Sequence, residues 1–284
     1  MNTPLAGSLH VCCAYDGSVN AHWVARYALR MAAASSARVL RLIHVESGEM
    51  SRALLARKLE QVRDEAAAAG VEVALHSVRA TRPVADAVMA SLPAAAASVL
   101  LCGTRARAGM RGLLAGTVSL ALLRRAPCHV LALRIVHPGL MGAPRRLLLP
   151  VHGDPGEGRA LAPLLALLSA DADELHLLRV MLADEQVVHH APPDQMARLR
   201  AHGRATVACV EHELRGALAL GALHVDAYVR IAESWHRPVL VSAGQHRCEL
   251  ILTAARTDRG GHARELEALL AHTPCDVGIW SVPS

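Results

Sequence analysis

A chain of 284 residues, 52% of them hydrophobic, has material for one large core or for two cores of about 140 residues each. With no Phe, three Trp and three Tyr, those cores are built from Leu, Val, Ala and Ile. The formal charge of +5 is spread along the chain, with no Lys/Arg block and no basic stretch interleaved with aromatics, which argues against nucleic acid as a partner.

Short apolar runs alternate with longer helical patterns through the first half. The pattern predicts strands over residues 10–14, 38–45, 71–77, 98–102 and 128–135, and helices over 20–34, 51–69, 82–92 and 117–125. Gly70 supplies the second helix with a C-terminal stop. Strands that are apolar throughout, alternating with helices, imply a parallel sheet covered on both faces. Five such strands form a doubly wound sheet, in the usual order 3-2-1-4-5. Its ligand crevice lies beyond the strand C-termini, where the order reverses. The Gly- and Pro-rich segment His137-Pro138-Gly139-Leu140-Met141-Gly142-Ala143-Pro144 is a natural linker. Beyond it, strands are predicted over 146–151, 174–180, 224–231, 249–253 and 275–281, with a long helical stretch over 193–220.

The second half repeats the first. Arg125-Ala126-Pro127-Cys128-His129-Val130 returns as His272-Thr273-Pro274-Cys275-Asp276-Val277. Arg82-Pro83-Val84 returns as Arg237-Pro238-Val239, and Leu42-Ile43-His44-Val45 as Leu177-Leu178-Arg179-Val180. The order is kept while the offsets drift (147, 155 and 135 residues), which is the mark of two related units separated by insertions and deletions. The expected architecture is therefore α/β, with two tandem Rossmann-like domains over residues 1–138 and 144–284, each a doubly wound, five-stranded parallel sheet.

Cys12, Cys102, Cys128, Cys248 and Cys275, five of the seven cysteines, fall in or beside apolar runs and read as buried free thiols of a reducing cytoplasm. There is no CxxC pair to hold zinc. No basic segment followed by an apolar stretch opens the chain, so no signal peptide is expected. The longest mostly apolar stretch, 84–103, contains Asp86 and Pro93 and reads as a helix followed by a strand, so no membrane partner is expected either.

Two segments carry chemistry. Asp16, in Ala14-Tyr15-Asp16-Gly17-Ser18, follows the first strand; it reads either as turn and capping chemistry or as a carboxylate at the crevice mouth. After the fourth strand comes Gly103-Thr104-Arg105-Ala106, and nine residues later Gly116-Thr117. A Gly-rich strand-to-helix loop of this kind offers backbone N–H groups and a helix N-terminus to an anion. Strands one and four are neighbours at the switch point, so both segments would face one crevice. Competing motifs fail. Gly153-x-x-Gly156-x-Gly158 has Leu161 at the third glycine position of a dinucleotide fingerprint, and there is no Walker loop and no nucleophile elbow.

The pattern Gly103-x2-Ala106-x9-Gly116-Thr117, with Ala126-Pro127-Cys128 beyond it, resembles the universal stress protein family, whose nucleotide motif is G-x2-G-x9-G-[ST]. The resemblance covers nearly the whole first half. It implies a stress-response protein of the Rossmann-like class that binds ATP or a related adenine nucleotide, with Mg²⁺ arriving on the nucleotide. By that resemblance Asp16 would bond the adenine or ribose side, the backbone of Val45 would meet the adenine edge, and Gly103, Thr104, Arg105 and Ala106 would line the ribose and phosphates. Gly116, Thr117 and Val118 would hold the polyphosphate. Arg105, Arg107 and Arg111 add positive charge nearby, or else form a solvated basic loop.

One departure is Ala106 in place of the motif's second glycine, worth about 1 kcal/mol where φ must be positive. In the second half His152 stands where Asp16 would align and Ala254 where Gly103 would, and the loop after Ala254 is shortened. That half is expected to keep the fold and lack the motif. The family commonly dimerises through its fifth strands. Here the two halves could cover each other's edge within one chain as a pseudo-dimer, with homodimerisation of the whole chain left open. No general base or nucleophile stands beside the loop, so at most slow ATP turnover is expected. The rival reading is a nucleotide-free regulatory or interaction module of the same fold; an enzyme of the adenine-nucleotide-hydrolase kind would need catalytic carboxylates or a pyrophosphate loop that are not seen.

Overall fold

The computed structural model describes residues 9–46, 51–93, 98–104, 117–218, 223–255 and 260–283. The first half runs β1 (His10–Ala14), α1 (Val19–Ala34), β2 (Val39–Glu46), α2 (Arg52–Ala68), β3 (Glu72–Arg79), α3 (Val84–Ala90), β4 (Ser98–Gly103), α4 (Val118–Arg125) and β5 (His129–Arg134). The second runs β6 (Arg146–Val151), α5 (Glu157–Leu168), β7 (Glu174–Leu182), α6 (Glu185–His190), α7 (Pro193–Ala217), β8 (His224–Ala232), α8 (His236–Gln245), β9 (Leu250–Ala254), α9 (Gly260–His272) and β10 (Asp276–Ser281). The long helix expected over 193–220 thus ends at Ala217, and a short helix precedes it.

Helix starts are set by hydroxyls. Ser18, Ser51 and Thr117 accept backbone N–H bonds from Ala21 (3.1 Å), Leu54 (3.3 Å) and Leu120 (3.2 Å), satisfying donors that the first helical turn leaves over. Helix α5 shows no one-sided apolar pattern and carries Pro163 in its interior. It is buried on almost every side because α1 and α7 pack against it.

All ten strands join in one sheet, ordered β3-β2-β1-β4-β5-β10-β9-β6-β7-β8. The first five keep the order 3-2-1-4-5, and the second five repeat it in mirror sequence. Every strand pair is parallel except β5 with β10, which run antiparallel from Arg134 opposite Val277 to Val130 opposite Ser281. The strand C-termini of the two halves therefore lie at opposite ends of the sheet. Alternating side chains build one core on each face. Val11, Cys13 and Tyr15 join α1, α2, α5 and α7 on one face, and Cys12, Ile43 and Leu100 join α3, α4, α8 and α9 on the other.

The seam is tight. Gly278 of β10 lies where a Cβ would come 2.9 Å from a Leu131 methyl and 3.1 Å from one of Leu252. At the start of β10 the fully buried Asp276 carboxylate accepts from the Tyr27 hydroxyl of α1 (2.7 Å) and from the backbone N–H groups of Val136 (2.7 Å) and His137 (2.8 Å). The linker that follows turns back over α1. At Gly142 (φ +77°) a Cβ would sit 2.5 Å from the backbone nitrogen of Tyr27.

Among the seven cysteines, Cys209 is exposed and the other six are buried, all as free thiols. Burial pushes the Cys12 thiol up to about 11 and that of Cys102 up to about 12, so both stay protonated and inert at neutral pH. No helix among the described residues is long and apolar enough to cross a membrane.

Removing the Tyr27 hydroxyl leaves the buried Asp276 carboxylate one donor short. Tyr27→Phe is expected to lower the unfolding free energy by about 2 kcal/mol, read from denaturant unfolding at unchanged secondary structure. A loss below about 0.5 kcal/mol would show that this bond does not hold the halves together.

Candidate functional site

Beyond the C-terminal ends of β2, β1 and β4 lies a cavity of about 370 Å³. Its wall is assembled from distant segments: Ala14 to Ser18 after β1, Asn20 and Ala21 of α1, Ile43 and Val45 of β2, Val84 and Val88 of α3, Cys102 and Gly103 of β4, and Val118 and Ser119 of α4. The cavity sits where the strand order reverses, the place a doubly wound sheet leaves open.

Asp16 supplies the turn while Ser18, and not Asp16, caps α1. The Asp16 Oδ1 accepts from the N–H of Ser18 (2.8 Å), forming a turn around Gly17 (φ +70°), and the residue also lines the cavity. Two residues outside the sequence reading fasten this loop. Lys58 of α2 donates its Nζ to the Gly17 carbonyl, and the buried His44 ring bonds the Tyr15 carbonyl through Nδ1 (2.8 Å).

Val45 reaches the cavity by strand alternation. The Ile43 carbonyl accepts from Tyr15 on the β1 side (2.9 Å), and the Glu46 carbonyl accepts from Ala80 on the β3 side (3.4 Å). Val45 therefore turns its N–H and C=O toward β1, which has already ended at Ala14. An unpaired edge of backbone faces the cavity there.

Gly103 is a glycine for want of room. A Cβ at this position would overlap the Asn20 amide nitrogen, with Val24 at 3.6 Å. Thr104 continues the β4 pairing through its N–H to the Leu133 carbonyl (2.8 Å); its buried hydroxyl has no partner among the described residues. Thr117 caps α4, with its Oγ1 3.1 Å from that of Ser119, and Val118 opens the helix at the cavity edge, 40% exposed. Of the residues singled out from sequence, Asp16, Val45, Gly103 and Val118 line one cavity, with Thr104 and Thr117 adjoining it in the chain. Arg105, Ala106 and Gly116 lie outside the described residues, as do Arg107 and Arg111. Asn20, Val84, Val88 and Ser119 complete the wall, and no motif marked them.

The equivalent crevice of the second half is filled. Ala14 is level with Ile43 and Val151 with Arg179, so Asp16 and His152 each lie one residue past the position facing His44 or Arg179. The Arg179 guanidinium plays the part of the His44 ring, donating to the carbonyls of Val151 (3.1 Å) and His152. The His152 ring stacks on the buried Trp235 indole (centroids 5.5 Å apart, planes 24° apart), and its Nε2 lies 3.4 Å from the Thr253 hydroxyl. The Glu157 carboxylate accepts from the N–H of His152 (3.0 Å) and of Gly153 (2.8 Å). Burial pushes Glu157 above the usual carboxylate range, against the pull of those N–H groups. The Trp235 indole thus packs on the loop after β6, and the Glu157 carboxylate ties the backbone of that loop to the first turn of α5. No cluster of three His, Cys, Asp or Glu suited to a metal ion occurs among the described residues.

Comparison with known proteins adds the following. A model described as the universal stress protein family matches residues 8–134. A universal stress protein from Archaeoglobus fulgidus DSM 4304 superposes with a TM-score of 0.63 at 16% identity, covering 99% of this chain and 98% of that one. A protein from Pseudomonas aeruginosa PAO1 described as functionally unknown gives 0.61 at 15%, covering 98% and 95%. The cytoplasmic domain of a prokaryotic cation chloride cotransporter gives 0.53 at 10%, covering 97% and 96%. At these identities the likeness is one of fold. No curated protein sequence matches the chain.

If the indole fills the second crevice, emptying it leaves a cavity in a buried core. Trp235→Ala is expected to destabilise the protein by about 3–5 kcal/mol in denaturant unfolding. A cost below about 1 kcal/mol would mean that the ring is dispensable to the packing.

Proposed function

We propose that this chain, whose residues 8–134 match the universal stress protein family, binds ATP or a related adenine nucleotide in its first half, while its second half is structural. One observation carries the reading: Asp16 and Gly103, marked in the sequence by their place after strands, and Val45, implied by the family resemblance, line a single cavity at the switch point together with the start of α4. Its volume of about 370 Å³ falls in the usual range of small-molecule sites and suits a base and a sugar.

Ile43, Val45, Val84 and Val88 offer an apolar wall to a flat ring, and the Val45 backbone edge offers hydrogen bonds to its rim. The N-terminus of α4, with the hydroxyls of Thr117 and Ser119, suits phosphate oxygens. Asp16 is the one carboxylate among the described lining residues, which include no His and no Lys. With no general base at hand, turnover of ATP would be slow, and Mg²⁺ would be carried by the polyphosphate. The units would be 1–138, which binds, and 144–284, which braces it. The buried free thiols accord with a cytoplasmic setting. For the second half the nucleotide-free reading is favoured, because Trp235 packs on the loop after β6 and Glu157 ties that loop to α5.

Calorimetric titration of the purified protein with ATP tests this. Binding is expected at one nucleotide per chain. Asp16→Ala and Val118→Glu should each weaken it at least tenfold, the second by placing negative charge on an exposed position at the phosphate end. Absence of heat and of any thermal shift at millimolar ATP would overturn the proposal, and full binding by both variants would move the site elsewhere.

A further inference from the structure

We propose that Asn20 reads the sugar of the bound nucleotide and selects ribose over 2′-deoxyribose. The inference rests on the nucleotide reading above and deepens it. Strand order arranges the cavity in sequence along the sheet edge. Val45 on β2, with Val84 and Val88 of α3 beside it, forms an apolar end. Asp16 and Asn20 follow β1, Gly103 ends β4, and Val118 and Ser119 open α4. A base takes the apolar end and phosphate the helix N-terminus, so the sugar falls on the polar middle.

Asn20 is built into that middle. It stands four residues past Asp16, in the first turn of α1, and its carboxamide lies so close to Gly103 that a Cβ there would meet the amide nitrogen and push it aside. The amide engages no hydrogen-bond partner among the described residues. A carboxamide both donates and accepts, as does a ribose hydroxyl. A carboxylate such as Asp16 only accepts. The pair therefore matches a vicinal diol, with Asn20 able to serve an oxygen that Asp16 alone cannot. Removing one hydroxyl leaves the amide without its match, the arrangement by which polar pockets reject an analogue lacking a group.

The test compares ATP with 2′-deoxy-ATP on the full-length protein by calorimetry. The wild type is expected to bind ATP about tenfold more tightly than 2′-deoxy-ATP. Asn20→Ala should bring the ratio close to one, by weakening ATP and by removing the amide that 2′-deoxy-ATP leaves unmatched. Unchanged circular dichroism and an unchanged unfolding midpoint of the unliganded variant control for an intact fold. Gly103→Ala should reproduce that collapse, because the new methyl group displaces the flexible Asn20 amide and not the backbone. Equal affinities in the wild type, or an equal loss for both nucleotides in Asn20→Ala, would overturn the sugar reading while leaving nucleotide binding in place. Failure of the wild type to bind either nucleotide would overturn both.

Discussion

The antiparallel pairing of β5 with β10 is the constraint on which the molecule depends. Each half, taken alone, would end in an apolar strand with a row of unmatched N–H and C=O groups. Joined edge to edge, the two strands bury that liability and turn two five-stranded sets into one sheet with two continuous cores. The Asp276 carboxylate makes the junction specific, because a residue of the second half draws three donors from the first: the Tyr27 hydroxyl on α1 and the N–H groups of Val136 and His137, where β5 gives way to the linker. Burying a charge there is tolerable only with those donors in place. The same geometry dictates where the linker runs and why Gly142 must lie against α1.

Much of the fold could be read from the chain before any coordinates. Strands buried on both faces announce themselves as apolar runs, and the repeats of Leu42–Val45 and Arg125–Val130 revealed the duplication. Helix α5 was legible only at its start, where the glycines after β6 announce a helix. Packed by α1 and α7, it keeps little polar surface beyond Arg159, and Pro163 argues locally against a helix, so its extent was not marked. The cavity wall divides in the same way. Asp16 and Gly103 carry positional signals tied to strand ends, and Val45 came from the family resemblance. Asn20, Val84 and Val88 are ordinary helix residues whose place in the wall is decided by how α1 and α3 pack, which no local pattern encodes. Asn20 explains Gly103 better than any turn requirement does, since the glycine makes room for a neighbour's amide.

The two crevices show how one backbone plan can be given opposite uses. The loop after the first strand is held in each half by a side chain from the second strand, His44 in one case and Arg179 in the other. What differs is the filling. Glycine at 103 and small or branched residues around it leave space, whereas Trp235 stacks on His152 and Glu157 ties down the loop after β6.

That asymmetry governs how the molecule would register its ligand. Cooperative response requires at least two sites that communicate. A duplicated chain with both crevices open could have coupled them through the shared sheet, sharpening the response into a threshold. On the one-site reading proposed above, a chain acting alone would fill smoothly as its ligand became more plentiful, with no second crevice to steepen the response.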